Sequence, residues 1–233
     1  MGDGSASAGG APLAGRVCVV TGASRGIGRA IAAELHAAGA KLALCASRGE
    51  PAPPPGAEAF CARCDVSDAA AVQRFFDALE ARLGPPGVLV LNAGVLERGA
   101  IEDFTEAQWD RVLAVNLKGA FLCARAAWPR MRRSGGGRII GIGSISGTLG
   151  TPSAAAYNAS KWGLGGLIKS LAEEGRPHDI FCAAVLPGGV ETDMLRQTPF
   201  QPQVKAQEVA RVVRFLAAEA PAAMTGAAVE VFG

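Results

Sequence analysis

Arg16-Val17-Cys18-Val19-Val20-Thr21-Gly22-Ala23-Ser24-Arg25-Gly26-Ile27-Gly28 joins an apolar run to a string of glycines. Residues 17–20 are rich in β-branched side chains and suit a strand buried on both faces of a parallel sheet. Residues 29–35 carry good helix formers with their apolar members on one side. Strand, glycine turn and helix in that order present bare backbone N–H groups and a helix N-terminus to a pyrophosphate. A side chain at Gly22, Gly26 or Gly28 would obstruct the turn, the approach of phosphates or the packing of helix on strand. The spacing is G-x-x-x-G-x-G rather than the commoner G-x-G-x-x-G.

The rest of the chain fits a repeating strand–helix layout. Strands are expected at 40–46, 57–64, 88–91, 138–144, 179–186 and 227–232, and helices at 67–83, 109–133, 156–174 and 207–219, with Ser67 as the cap of the first of these. Pro129 is expected to kink the 109–133 helix, and the glycines of 138–144 point to close packing against that strand. The link 47–56 holds four prolines and cannot be a helix, so the second crossover helix is expected to be missing. The pattern gives an α/β fold: a doubly wound, mainly parallel, seven-stranded sheet in a single domain over 16–233, with 1–15 as a flexible leader.

Composition narrows the function classes. The 233 residues are 49% apolar and 19% charged, with a net charge of +2, a balance that implies neither a nucleic-acid nor a membrane partner. The first 15 residues lack the basic start and apolar core of a signal peptide, and Ala6 breaks the myristoylation pattern. Six cysteines fit a reduced, cytoplasmic protein; Cys61 and Cys64, though C-x-x-C spaced, read as strand cysteines rather than a metal or redox pair.

Tyr157 and Lys161 stand four apart on a predicted helix and share one face, and Tyr157 is the only tyrosine. A phenol titrates near pH 10, too high for easy proton exchange at neutral pH; an ammonium one turn away favours the phenolate. The two can act together as a general acid or base toward an alcohol or carbonyl oxygen.

The ordered set Thr21-Gly-Ala-Ser-Arg-Gly-Ile-Gly28, Asn92-Ala-Gly94, Asn116, Ser144, Tyr157-Asn-Ala-Ser-Lys161 and Pro187-Gly188 resembles the short-chain dehydrogenase/reductase family over nearly all of 16–233. The resemblance implies a Rossmann-type domain and an NAD(P)-dependent oxidoreductase acting on CH–OH/C=O groups, with no metal. Tyr157 would protonate the carbonyl oxygen. Lys161 would lower the Tyr157 pKa and hold the nicotinamide ribose. Ser144 would hydrogen-bond the substrate oxygen, and Asn116 would hold a relay water. The cofactor would lie along Gly22, Ser24, Arg25, Gly26, Ile27 and Gly28. Ser47 and Arg48 would face its adenosine ribose, Asp65 and Val66 its adenine, and Asn92, Ala93 and Gly94 its ribose. Pro187, Gly188, Val190 and Thr192 would meet the nicotinamide.

Ala46-Ser47-Arg48 lacks the acid that usually accepts from an NAD ribose, while Arg48 and Arg25 could pair with a 2′-phosphate, which favours NADP(H) over NAD(H). The segment 193–203 is short for a substrate cap, so an open pocket bordered by Leu96, Leu149, Met194 and Leu195 is expected. The resemblance is nearest to 3-oxoacyl-acyl-carrier-protein reductases. The reading is an NADPH-dependent ketone reductase; a secondary-alcohol, sugar or polyol dehydrogenase and a non-catalytic NADP-binding regulator are the alternatives. Arg125, Arg130, Arg132 and Arg133 could dock an acidic carrier protein, although cations compensating a helix C-terminus explain them better. A homodimer or homotetramer through the 109–133 and 156–174 helices and the last strand is implied.

Overall fold

A computed structural model describes residues 11–232. Its elements run β1 (Val17–Thr21), α1 (Gly26–Ala37), β2 (Lys41–Ala46), β3 (Ala59–Arg63), α2 (Ala69–Leu83), β4 (Pro86–Leu91), α3 (Glu106–Leu113), α4 (Gly119–Arg133), β5 (Gly137–Ile142), α5 (Ala155–Gly175), β6 (Ile180–Pro187), α6 (Ala206–Ala218) and β7 (Ala228–Val231). All seven strands pair in parallel in the order β3-β2-β1-β4-β5-β6-β7. The order reverses between β1 and β4, and the carboxyl ends of those two strands open the crevice where such sheets bind ligands.

Alternation along each strand feeds two cores. Val17 and Val19 face one side with Leu89, Ile139, Phe76 of α2 and Ile168 of α5. Cys18 and Val20 face the other with Val90, Ile140, Ile31 of α1 and Val213 of α6. Close packing on β5 has the expected glycine signature: a Cβ at Gly141 would sit 2.9 Å from Ile168.

The link between β2 and β3 contains no helix, as its prolines require. One face of β3 is still covered, because Phe60 stacks on Phe75 at 5.6 Å. Ala59 and Cys61, on the other face, stay only partly buried at the place a crossover helix would occupy.

Three local readings change. Residues 1–10 lie outside the described residues, but Ala11 to Gly15 are not a loose leader: Leu13 is fully buried and its N–H donates to the Ala38 carbonyl at 2.9 Å. The cap of α2 is Asp68, whose Oδ1 accepts from Ala70 N at 2.8 Å and Ala71 N at 3.2 Å. Ser67 instead donates its hydroxyl to Asp65 Oδ1 at 2.7 Å, because Asp68 is the residue with extended backbone at the helix mouth. Pro129 stays within α4, and the helical path departs from α geometry earlier, in a π segment at Ala114–Lys118.

Candidate active site

The glycine turn is built by hydrogen bonds between the ends of β1 and β4. Thr21 Oγ1 donates to the Val90 carbonyl at 3.2 Å and accepts from Asn92 N and Ala93 N, each at 3.0 Å. Asn92 Nδ2 donates to the carbonyls of Thr21 at 2.8 Å and Gly22 at 3.1 Å. Gly22 has φ +66°, and a Cβ there would sit 2.9 Å from Ala93 Cα. A Cβ at Gly28 would strike the Gly22 carbonyl and come within 2.5 Å of Asn92 Nδ2. Both glycines therefore let α1 and the β4 loop close on the turn. The N-terminus of α1 has no side-chain cap and no acid in its first turn, so its N–H groups and dipole suit an anion. Across the crevice, Thr192 lies 3.2 Å from where a Gly26 Cβ would be.

The reacting groups come from β5, α5 and the π segment. Lys161 is 5% exposed, and its Nζ donates to the Ile142 carbonyl at 2.8 Å while lying 5.6 Å from the centre of the Tyr157 ring. Burial pulls the Lys161 ammonium down to about 8. Burial pushes the Tyr157 phenol up from its ordinary value, and the Ser144 hydroxyl beside it pulls it part of the way back. The acidification expected from Lys161 is therefore not what governs the phenol in the protein alone: desolvation is the larger effect, and the lowering partner is Ser144. Ser144 Oγ accepts from Ser146 N at 3.1 Å, which leaves its own O–H free to donate.

Asn116, 1% exposed, sits within the π segment. Its Oδ1 accepts from Val95 N at 2.8 Å, and its Nδ2 donates to the Val95 carbonyl at 2.9 Å and to Ser160 Oγ at 3.0 Å. Ser160 Oγ in turn donates to the Tyr157 carbonyl at 2.7 Å. The Asn116 side chain thus ties the β4 loop to the turn of α5 that carries Tyr157. A Cβ at Gly94 would lie 3.4 Å from Asn116 Oδ1 and 3.8 Å from Lys161 Nζ, so these three residues converge.

Ser144 and Tyr157 line a cavity of about 500 Å³, together with Ile27, Pro187, Gly188, Val190 and Thr192. The expected border residues Leu96, Leu149, Met194 and Leu195 all line it, joined by Phe200 and Phe232. Arg98 is the one charged residue in the wall among the described residues. The remaining expected positions distribute unevenly. Ser24, Ser47 and Arg48 are exposed, and Asp65 is exposed but bonded to Ser67. Val66 is buried against Gly119. Arg25 does not stand free: it pairs with Asp193 at 3.4 Å across the crevice. Thr21 and Ser160 were readable only as members of the T-G-x-x-x-G-x-G and Y-x-x-S-K strings, and nothing in the local sequence marks Phe200, Phe232 or Arg98.

Residues 16–202 match the family described as short chain dehydrogenase. The chain is 40% identical to the 3-oxoacyl-[acyl-carrier-protein] reductase MabA of Mycobacterium tuberculosis, covering 95% of this chain and 93% of that one. It is 38% identical to the (3R)-3-hydroxyacyl-CoA dehydrogenase of Mus musculus, over 95% and 96% of the two chains. The solved structure of levodione reductase superposes with a TM-score of 0.87 at 29% identity, covering 95% of this chain and 97% of the other. With a glycine turn at the sheet's switch point and Ser144, Tyr157 and Lys161 gathered beside it, the chain belongs to the short chain dehydrogenase family and is an oxidoreductase acting on CH–OH/C=O groups.

Proposed function

We propose that this protein reduces an apolar ketone, of the 3-oxoacyl thioester type or smaller, to a secondary alcohol with NADPH. The observation that carries the reading is the meeting of Ser144 and Tyr157 on the wall of an apolar cavity that also reaches Ile27 of the glycine turn. The uncapped α1 N-terminus fits a dinucleotide pyrophosphate. When bound, the cofactor supplies the hydride; the chain's own residues handle the proton and the geometry.

A raised phenol pKa keeps Tyr157 protonated at neutral pH, the state a general acid needs for reduction. The free O–H of Ser144 can donate to the same carbonyl oxygen and polarise it. Lys161, with a pKa of about 8, is still mostly charged at neutral pH. One of its three donors is engaged by Ile142, which leaves two for ribose hydroxyls. Its charge also steadies the phenolate left once the proton has gone. Asn116 holds this turn of α5 in place through Ser160. Leu96, Leu149, Met194 and Leu195 give the face where the ketone lies an apolar border, with Leu149 exposed at its rim.

Ala46-Ser47-Arg48, without an acid after β2, supports NADPH over NADH. The substrates named for the relatives support a 3-oxoacyl group. Docking of a carrier protein on α4 finds less support: Arg130 is 8% exposed and held by Asp77 and Glu80, and Arg133 pairs with Glu80 at 3.1 Å. A second copy of the chain suits the α3–α4–α5 face, where Trp109, Phe121 and Trp162 are exposed beside a groove lined by Leu113, Leu117 and Leu167. Among the described residues no helix is long and apolar enough to cross a membrane, and the six thiols are free, which fits a reducing, cytoplasmic setting.

The test is NADPH oxidation followed with a panel of ketones and acetoacetyl-CoA, alongside Tyr157→Phe. The variant is expected to keep NADPH affinity and to lose at least about 100-fold in kcat. Full turnover by Tyr157→Phe removes the mechanism; binding without turnover of any ketone by the natural chain returns the non-catalytic reading.

A further inference from the structure

We propose that Arg63, the last residue of β3, is the main determinant of NADPH selectivity, gripping the 2′-phosphate together with Ser47 and Arg48. The proposal rests on the NADPH reading above. Sequence alone pointed to Arg25 and Arg48 for this task, and the geometry redistributes it.

Arg63 stands in register with Ala46, the residue that ends β2 immediately before Ser47. Its Nε donates to the Ser47 carbonyl at 2.9 Å. That bond brings a β3 side chain onto the corner where a ribose 2′-substituent would lie after β2, and it fixes the plane of the guanidinium. Only Nε is engaged, so the two outer nitrogens remain as a forked donor, the shape that matches a phosphate. Ser47 and Arg48 are exposed at the same corner. The helix-free 47–58 link leaves that side of β3 open.

Three of the nearby acids are committed elsewhere, and the fourth, Glu50 of the link, lies close enough to Cys61 of β3 to add to the rise that burial gives its thiol pKa. Asp65 accepts from Ser67, Asp68 caps α2, and Glu58 pairs with Lys41 at 2.7 Å. Neither Arg48 nor Arg63 forms an ion pair among the described residues, and Glu50 of the link pairs with neither. Two uncompensated cations and a hydroxyl around one strand end make a site for a doubly charged anion. Arg25, by contrast, already has Asp193 as its partner.

The experiment is equilibrium titration of the substrate-free protein with NADPH and with NADH, read by nucleotide fluorescence, for the natural chain, Arg63→Gln, Arg63→Lys and Arg25→Gln. Arg63→Gln is expected to weaken NADPH about 10- to 100-fold and NADH less than about 2-fold, and to flatten the salt dependence of NADPH binding. Arg63→Lys, which keeps the charge without the fork, should fall between, and Arg25→Gln should change NADPH affinity less than about 3-fold. Equal weakening of both nucleotides would make Arg63 a mere tether for Ser47 and overturn the proposal, as would no effect on either. A natural chain that binds the two nucleotides equally would instead overturn the NADPH reading beneath it. Should Arg63→Gln fail to fold, the NADPH-to-NADH ratio of Arg63→Lys decides: an unchanged ratio refutes the role.

Discussion

Replacing Lys161 by Met should make the protein more stable while abolishing its activity. The ammonium is buried, and its pKa falls from 10.5 to about 8 for that reason alone. At about 1.36 kcal/mol per unit, a drop of about 2.5 units means that folding with a charged Lys161 costs about 3 kcal/mol. Met has a similar length and no charge to bury. Against this, the Ile142 carbonyl loses the donor that now sits 2.8 Å away, a penalty of about 1 kcal/mol. The net expectation is a gain of about 2 kcal/mol at pH 7. The pH dependence identifies the cause. Below pH 8 the lysine is protonated in both folded and unfolded chains, so the penalty is complete and constant. Between about 8 and 10.5 the unfolded chain binds the extra proton, so the natural protein gains stability as pH rises and catches up with the variant. Urea unfolding at fixed protein concentration should show a gap that shrinks by about 2 kcal/mol between pH 8 and pH 9.5. A variant less stable than the natural chain at pH 7, or a gap that does not change with pH, would refute the claim that Lys161 is held charged against the cost of its burial.

Three more outcomes follow from the same geometry. Ser144→Ala removes the group that pulls the Tyr157 phenol down, so the pH profile for alcohol oxidation should move to higher pH and kcat should fall by about 100-fold or more; an unmoved profile would separate Ser144 from the phenol. Gly28→Ala drives a methyl group into the Gly22 carbonyl and Asn92, so nucleotide titration should show NADPH affinity down at least about 10-fold, with about 1–3 kcal/mol of lost stability in urea unfolding. Arg130→Met breaks the pairs with Asp77 and Glu80, whose carboxylates reach solvent and can hydrate, and should destabilise the protein by only about 1 kcal/mol in the same assay, with kcat and KM for a thioester substrate unchanged.

The fold was legible because most of its strands are buried on both faces and therefore read as continuous apolar runs. Residues 17–20, 88–91 and 179–186 needed only small shifts of boundary to become β1, β4 and β6. The missing crossover helix was legible for a negative reason, since proline forbids it. What failed was decided by chain direction rather than composition. Ser67 and Asp68 are both good caps, and only the path of the backbone gives the role to Asp68. Leu13 looked like one apolar residue in a string of small ones, but the turn after α1 brings Ala38 against it.

The site divides along the same line. Tyr157 and Lys161 were legible from residue type and spacing, and Ser144 from the family resemblance; the structure brings the three side chains together. Asn116 was legible only through the family resemblance, and what the structure adds to it is a set of bonds to Val95 and Ser160 made from within the π segment. Val112 and Ala120 are both buried, yet they stand eight residues apart, a spacing that a regular α-helix would place about 80° out of line. A π turn absorbs one extra residue, so the two behave as if seven apart and return to one face. Asn116, inside the widened turn, can then reach Val95 and Ser160 without pulling either flank out of the core. No periodicity announces this in advance, because the extra residue erases the helical period where it matters. The irregular turn is what lets one amide hold both the β4 loop and the turn of α5 that carries Tyr157, and it makes the placement of the phenol a property of three segments far apart in the chain.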